Sequence, residues 1–76
     1  MTLRYTLGQA GPVTLRICDV SGRAVRTLVD EAQAIGDYEA VWDGRDDRGV
    51  PAGSGAYSAL LEAPGCKAAE KVVLIR

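Results

Sequence analysis

The chain has 76 residues, 47% of them hydrophobic and 25% charged, with a formal net charge of −1 and a pI near 5.2. This length predicts one domain spanning residues 1–76, and the apolar fraction excludes a disordered chain. The weak negative charge argues against nucleic acid as a partner, and no apolar run approaches the roughly 20 residues that a membrane span needs.

The chain contains no histidine. Its absence excludes Ser-His-Asp and Cys-His catalytic sites and every zinc site that includes His. The two cysteines, Cys18 and Cys66, are too few for an all-cysteine zinc site and too far apart for a Cys-x-x-Cys pair. We therefore expect no catalytic residue, no metal and no cofactor.

Alternation of apolar and polar residues predicts two strands at the start of the chain. Their apolar members are Leu3, Tyr5, Leu7, Val13, Leu15 and Ile17. The glycines and the proline of residues 8–12 separate the two strands. After the second strand, Ser21 and Gly22 predict a hairpin turn.

The next segment, residues 23–29, departs from strict alternation. The spacing of Val25, Leu28 and Val29 slips from two toward three, which predicts a bulge or a helical turn there. Residues 31–36 fit a short helix or a loop. A helix of fewer than about 12 residues is marginal on its own, so we predict a loop.

Three more apolar runs complete the pattern, in residues 38–42, 57–61 and 71–75. Turns rich in Gly and Pro separate them. Six short strands with such turns predict an all-β fold, a small β-sandwich.

The polar loop that follows Trp42 contains three aspartates, Asp43, Asp46 and Asp47, which suggest a calcium site at first sight. Calcium needs six to eight oxygen ligands, and this spacing lacks the alternate acids and the final Glu of an EF-hand loop. The alternative is that the aspartates accept hydrogen bonds from backbone N–H groups in tight turns, with glycines at positive φ. We favour that interpretation and do not expect calcium.

Trp42 fits either a sugar-binding platform or a core residue. It shares the strand parity of Tyr38 and Ala40, and a chain without Phe needs its large aromatic residues inside. We therefore place it in the core. The predicted inward side chains are Leu3, Tyr5, Val13, Leu15, Ile17, Val25, Leu28, Tyr38, Trp42, Tyr57, Leu61, Val72 and Leu74.

Cys18 and Cys66 fit a disulfide, two free thiols or a link between molecules. A disulfide closing a loop this long would stabilise the fold by roughly 4 kcal/mol in the chain-entropy model. Cys18 has the polar parity of its strand, so such a bond would lie outside the main core. The sequence leaves the three possibilities open.

Several motifs in order along the chain resemble the FlgD-type immunoglobulin-like domain. The Trp-Asp-Gly loop followed by Gly-x-Tyr is the specific part. The segments that carry the resemblance are residues 4–7, 12–23, 25–28, 36, 42–49, 53–57 and 71–76. The resemblance implies a small immunoglobulin- or fibronectin-III-like β-sandwich of six to seven antiparallel strands.

The resemblance also implies structural roles for a set of core aromatic residues, loop-ordering carboxylates and turn glycines. These are Trp42, Tyr57, Asp43, Asp47, Gly44, Gly49 and Gly55. The family usually has an aromatic residue where Cys18 lies, and Cys66 also departs from the family pattern. Both departures together favour a disulfide between them.

The function implied by the resemblance is that of a non-catalytic structural and interaction module. Similar domains serve as C-terminal assembly, sorting or anchoring domains of exported bacterial proteins, so we expect an extracellular or cell-surface location within a larger protein. The expected partners are other protein domains or copies of the chain itself. The alternatives are a module that binds carbohydrate or calcium through residues 43–55, and a subunit that assembles by edge-strand pairing.

Overall fold

Six antiparallel β-strands form the fold in a computed structural model, which describes residues 1–75. The strands are β1 Thr2–Leu7, β2 Gly11–Cys18, β3 Ala24–Gln33, β4 Gly36–Val41, β5 Gly55–Ala63 and β6 Cys66–Leu74. The predicted all-β class is confirmed. None of the described residues forms a helix that is long and apolar enough to cross a lipid bilayer.

The strands form two sheets that pack as a small immunoglobulin-like β-sandwich. One sheet pairs β1 with β4, and the other has the order β3-β2-β5-β6. The hairpins β2–β3 and β5–β6 stay within the larger sheet, whereas the other three connections cross between the sheets. This pattern of crossings joins the two layers around one core.

Two β-bulges lie in β3, where the apolar spacing slips in the sequence. Between the pairings to Leu15 and Arg16 of β2, the extra residue Leu28 has no partner, and Val25 is extra at a second register shift. Both extra residues pack against the core. The predicted bulge is confirmed, and no helical turn forms.

Residues 31–33 belong to β3, so the prediction of a loop there was wrong. They continue the ladder with β2 as far as the pairing of Gln33 with Gly11. The side-chain oxygen of Gln33 accepts a hydrogen bond of 2.7 Å from the Tyr5 hydroxyl of the facing sheet. Because β3 is an edge strand with polar, exposed residues at this end, the segment shows no hydrophobic alternation.

The last strand is also longer than its sequence pattern indicates. It begins at Cys66, whereas the β-branched run that predicts it begins at Lys71. Residues 66–70 are small or polar and are all exposed. They form a strand because each pairs with a residue of β5.

The core lies between the two sheets. Its buried members are Leu7, Val13, Leu15, Ile17, Trp42, Ala52, Ala59, Leu61 and Val72. Every side chain predicted to face inward lies in this cluster or packs against it. Leu7, Ala52 and Ala59 are core residues beyond the predicted set.

Two aromatic contacts organise this core. Tyr5 and Tyr38 stand opposite each other in the β1–β4 ladder and stack with ring centroids 5.4 Å apart. Trp42 and Tyr57 join the two sheets through an edge-to-face contact at 5.2 Å. The few aromatic residues of the chain are thus concentrated where the sheets meet.

Candidate functional site: the loop of residues 43–55

The loop of residues 43–55 connects β4 to β5 and crosses from the small sheet to the large one. It follows Trp42, and its polar part is closed by an isolated β-bridge between Arg45 and Pro51. A backbone hydrogen bond of 2.9 Å from Asp46 N–H to Val50 C=O tightens the same turn. The loop therefore has its own hydrogen-bonded structure.

Trp42 attaches this loop to the core. Its side chain is 1% exposed, and its indole N–H donates a hydrogen bond of 2.9 Å to the carbonyl of Arg45. The ring therefore offers no free face on which a sugar could stack. Its surroundings are those of a buried aromatic residue with a satisfied polar group.

Asp43 and Asp46 hold the turns of the loop through their carboxylates. Asp43 accepts a hydrogen bond of 3.0 Å from the N–H of Arg45. Asp46 accepts bonds of 2.9 Å and 3.0 Å from the N–H groups of Arg48 and Val50. These are the short side-chain-to-backbone bonds that aspartate makes in turns.

Glycines provide the positive φ angles that the same turns need. Gly44 has φ of 78° and Gly49 has φ of 81°. These values lie in the left-handed region, which residues with a Cβ adopt at a cost in free energy. Gly55 begins β5 at the end of the loop.

Asp47 connects the loop to β3 instead of stabilising its own turn. Its carboxylate accepts a hydrogen bond of 3.0 Å from the N–H of Thr27, and its own N–H donates to the carbonyl of Val25 at 3.0 Å. Asp47 thereby occupies the outer edge of the large sheet at the bulged part of β3. An edge strand otherwise presents such backbone groups to other chains.

Two arginines reinforce these contacts with bonds to backbone carbonyls. Arg45 donates to the carbonyl of Gly49 at 2.9 Å, and Arg26 of β3 donates to the carbonyl of Asp46 at 3.2 Å. At the other end of the loop, the Tyr57 hydroxyl donates to the carbonyl of Gly53 at 2.6 Å. The loop is therefore tied to both β3 and β5.

A shallow depression of about 510 Å³ lies between this loop and the β2–β3 turn. Asp19 contributes one wall, where its carboxylate accepts bonds from the Ser21 hydroxyl at 2.6 Å and from the N–H groups of Ser21 and Arg23. The bond from Ser21 is the main reason why the pKa of Asp19 lies below its ordinary value. The bond from Val50 N–H lowers the pKa of Asp46 in the same way.

The carboxylates around this depression accept hydrogen bonds from backbone N–H groups. Nowhere in residues 1–75 do three or more Cys, Asp or Glu side chains gather as a set able to hold a metal ion. Asp46 also forms an ion pair with Arg48 at 3.4 Å. The hydrogen bonds and the ion pair of these carboxylates stabilise the structure of the loop and of the β2–β3 turn.

Cys18 and Cys66 are both free thiols in the structure, which does not contain the disulfide that the family resemblance favoured. Cys18 is 4% exposed but lies outside the core cluster. It pairs with Ser58 of β5, which in turn pairs with Lys71 of β6. Cys66 is exposed and lies five residues before Lys71 on β6, or about 16 Å along a strand. That separation far exceeds the roughly 7 Å between Cα atoms that a disulfide tolerates.

The sequence did not reveal three residues that shape this site. Asp19 stabilises the β2–β3 turn, and Arg26 and Thr27 of β3 donate hydrogen bonds to the loop. An Asp two residues before a Ser-Gly turn was a usable local signal for Asp19. Nothing local marks Arg26 and Thr27, because their partners lie 20 residues away.

Comparison with known proteins gives a family match. A family model described as the FlgD Ig-like domain matches residues 1–65, which include β1 to β5 and end before β6. The sequence resemblance had included residues 71–76, which lie beyond the match. Comparison with curated protein sequences gave no match. The chain belongs to the FlgD Ig-like domain family.

Proposed function

We propose that this chain is a non-catalytic structural and interaction module that acts as the C-terminal assembly, sorting or anchoring domain of an exported bacterial protein. The family match supports the coarser part of this role, because the FlgD Ig-like domain is a structural and assembly domain. The proposed location is the cell surface or the extracellular space. The proposed partners are other protein domains or copies of this chain.

The observation that carries the proposal is the use of the most polar loop. Asp43, Asp46 and Asp47 each accept a hydrogen bond from a backbone N–H group. A site for general acid–base chemistry needs carboxylates that face a substrate, as does a calcium site. A loop that holds itself and the edge of a sheet instead supports a rigid module with binding surfaces elsewhere.

The test uses the reading frame that contains this chain, expressed with an epitope tag in its own host. One strain carries the intact frame and the other lacks residues 1–76. We expect the deletion to abolish surface location or assembly of the product while the amount of protein inside the cell is maintained. Unchanged location and assembly would overturn the proposal.

Point variants separate folding of the module from simple shortening of the chain. Trp42→Ala removes a buried ring, whereas Val41→Ala changes the neighbouring side chain, which is 66% exposed. We expect Trp42→Ala to reproduce the deletion and Val41→Ala to behave as wild type. A normal phenotype for a Trp42→Ala protein shown to be unfolded would also count against the proposal.

A further inference from the structure

The two sheets of the sandwich are unequal in width. Two strands, β1 and β4, face a sheet of four strands whose outer members are β3 and β6. On the β3 side, the chain packs β3 near β4, with the Tyr5–Gln33 hydrogen bond between the sheets. On the β6 side, no third strand lies beside β1 within residues 1–75.

The inner face of β6 is uncovered as a result. Cys66, Ala68 and Glu70 pair with the core-facing residues of β5, so all three belong to the inward face of their strand. All three are nevertheless exposed. Only the later inward residue Val72 is buried.

A groove of about 250 Å³ runs along this open side, between β1 and β6. Leu3 and Tyr5 of β1 form one wall, Ala68 of β6 forms the other, and Leu15 and Leu61 contribute to its apolar lining. The edge of β1 that borders the groove has no strand partner in the described chain. A strand edge beside an apolar groove is the arrangement that accepts an added strand.

We propose that this groove receives an extended segment of a partner protein, which adds to the small sheet as a third strand beside β1. The added strand would pair its backbone with β1 and cover the inward face of β6. This inference deepens the proposed interaction role by naming the surface and the form of the partner. The two can fail separately, because a sorting or anchoring role does not require this groove.

Charge indicates which side chains the partner strand carries. Glu70 faces the groove and forms no ion pair with any described residue, whereas Arg4 at the same groove is paired with Glu39 at 2.9 Å. A Lys or Arg on the added strand would complement Glu70. Since side chains on one face of a strand recur every second residue, the position two residues away faces Ala68 and is apolar.

A second copy of this chain fits the groove less well than a different protein. In a two-fold symmetric pairing of β1 with β1, the inward face of the copy would present Leu3, Tyr5 and Leu7 to the groove. None of these side chains is basic, so Glu70 would stay without a partner. The charge of the groove therefore favours a strand from a separate polypeptide.

The test uses two synthetic peptides of about eight residues that alternate Thr and Val, with one central Val replaced by Lys in one peptide and by Glu in the other. Binding to the isotope-labelled chain is followed by NMR. We expect the Lys peptide to shift and protect amide signals of β1 and to bind more tightly than the Glu peptide. No binding at millimolar concentration, or shifts confined to another surface, would overturn the proposal.

Charge reversal at the groove has a matched control on the opposite face of the same sheet. We expect Glu70→Lys to weaken binding of the Lys peptide about tenfold and to reverse the preference between the two peptides. Glu62→Lys changes an exposed residue on the outer face and should leave the preference unchanged. Equal effects of the two variants would show a general charge effect and contradict the proposal.

A steric pair tests the position independently of charge. Ala68→Trp places a large side chain in the groove, whereas Val73→Trp places one on the outer face of the same strand, at a residue that does not line the groove. We expect only Ala68→Trp to abolish peptide binding, with both variants folded by circular dichroism. Sedimentation across a concentration series completes the test, because dimers lost in Ala68→Trp would assign the groove to a second copy instead.

Discussion

Trp42 shows how one residue can both fill a core and fix a loop. Its ring meets Tyr57 edge to face across the sandwich, and its N–H group bonds the carbonyl of Arg45. Large apolar area and a single donor at the ring edge are properties that only tryptophan combines. The first turn of the 43–55 loop is therefore positioned by the core itself.

Replacing Trp42 by alanine should reduce the free energy of unfolding by roughly 3–5 kcal/mol, the range for deleting a buried aromatic ring. A domain of this size has little more stability than that. Thermal denaturation followed by circular dichroism measures the effect. We expect the Trp42→Ala protein to be largely unfolded at room temperature.

The neighbouring variant Val41→Ala is the control for this experiment, because Val41 is on the exposed face of β4. Its melting temperature should stay within a few degrees of wild type. Trp42→Phe should fall between the two, since it keeps a ring but loses the donor to Arg45. A Trp42→Ala protein that melts like Val41→Ala would disprove the core assignment.

The lowered pKa values of Asp19 and Asp46 predict how stability depends on pH. Each folded pKa lies below the ordinary value of 3.8, through bonds from the Ser21 side chain and from Val50 N–H respectively. The contribution of each group is therefore complete above that value and is lost as the pH falls through the folded pKa. Melting temperatures measured from neutral pH down to about pH 2 should fall most steeply below about pH 4.

The variants Asp19→Asn and Asp46→Asn remove this titration but keep an oxygen that can accept the same bonds. We expect acidification to lower the melting temperature of the double variant less than that of the wild type. If the melting temperatures of both proteins fall equally steeply below about pH 4, groups other than Asp19 and Asp46 control acid unfolding.

Among the loop residues, sequence reasoning reached those whose partners are close in the chain. The bonds that Asp43 and Asp46 accept span two to four residues, so turn chemistry alone predicts them. The hydrogen-bond partners of Asp47 could not be predicted from the sequence, because they lie on β3 and depend on how the loop packs against the sheet. The resemblance to the family marked Asp47 as a loop-ordering acceptor without indicating that it bonds β3.

At the level of elements, β3 departs most from regular geometry. It is an edge strand with two bulges, and the 43–55 loop covers its bulged part through Asp47. Bulges twist and interrupt an edge. Asp47 occupies two backbone groups of this edge, because its carboxylate accepts a bond from Thr27 N–H and its own N–H donates to the carbonyl of Val25. The strand therefore depends on a residue of this loop, Asp47, that lies 20 positions beyond its partner Thr27 in the chain.

Asp47→Ala should loosen this part of β3. The loss of the acceptor for Thr27 N–H should cost roughly 1 kcal/mol and speed amide hydrogen exchange at Thr27. Exchange measured by NMR reports the effect residue by residue. Asp47→Asn, which retains an acceptor oxygen, should keep most of the protection, and equal exchange in Asp47→Ala and wild type would contradict the capping role.

The strands that the sequence predicted best are those with one face in the core. In β2, Val13, Leu15 and Ile17 are all buried and alternate with less buried residues. The sequence pattern did not predict the end of β3 or the start of β6, because these segments are strands through edge pairing and not through burial. Backbone pairing leaves no mark on side-chain hydrophobicity where neither face is covered.

For the whole molecule, β6 is part of the folded unit although the family match ends at residue 65. It contributes Val72 and Leu74 to the core and pairs with β5 along its full length. A chain truncated after Gly65 should therefore lose its cooperative thermal transition. Dispersion of amide signals in an NMR spectrum is the direct measurement.

The outward-facing Val73 of β6 provides the control for this truncation. Val73→Thr keeps a β-branched side chain and the backbone ladder, so we expect a melting temperature within a few degrees of wild type. A truncated chain that still melts cooperatively would show that the first five strands fold alone.

The cap on β3 also bears on polymer growth. Head-to-tail stacking of copies requires β6 of one molecule to join β3 of the next, and such a contact repeats without end. Asp47 occupies the backbone groups of Val25 and Thr27, and the exposed acids Asp30 and Glu31 follow on the same strand. With part of this edge occupied in this way, we expect copies that meet through the large sheet to pair β6 with β6, a contact that ends at a dimer and does not propagate into a fibre.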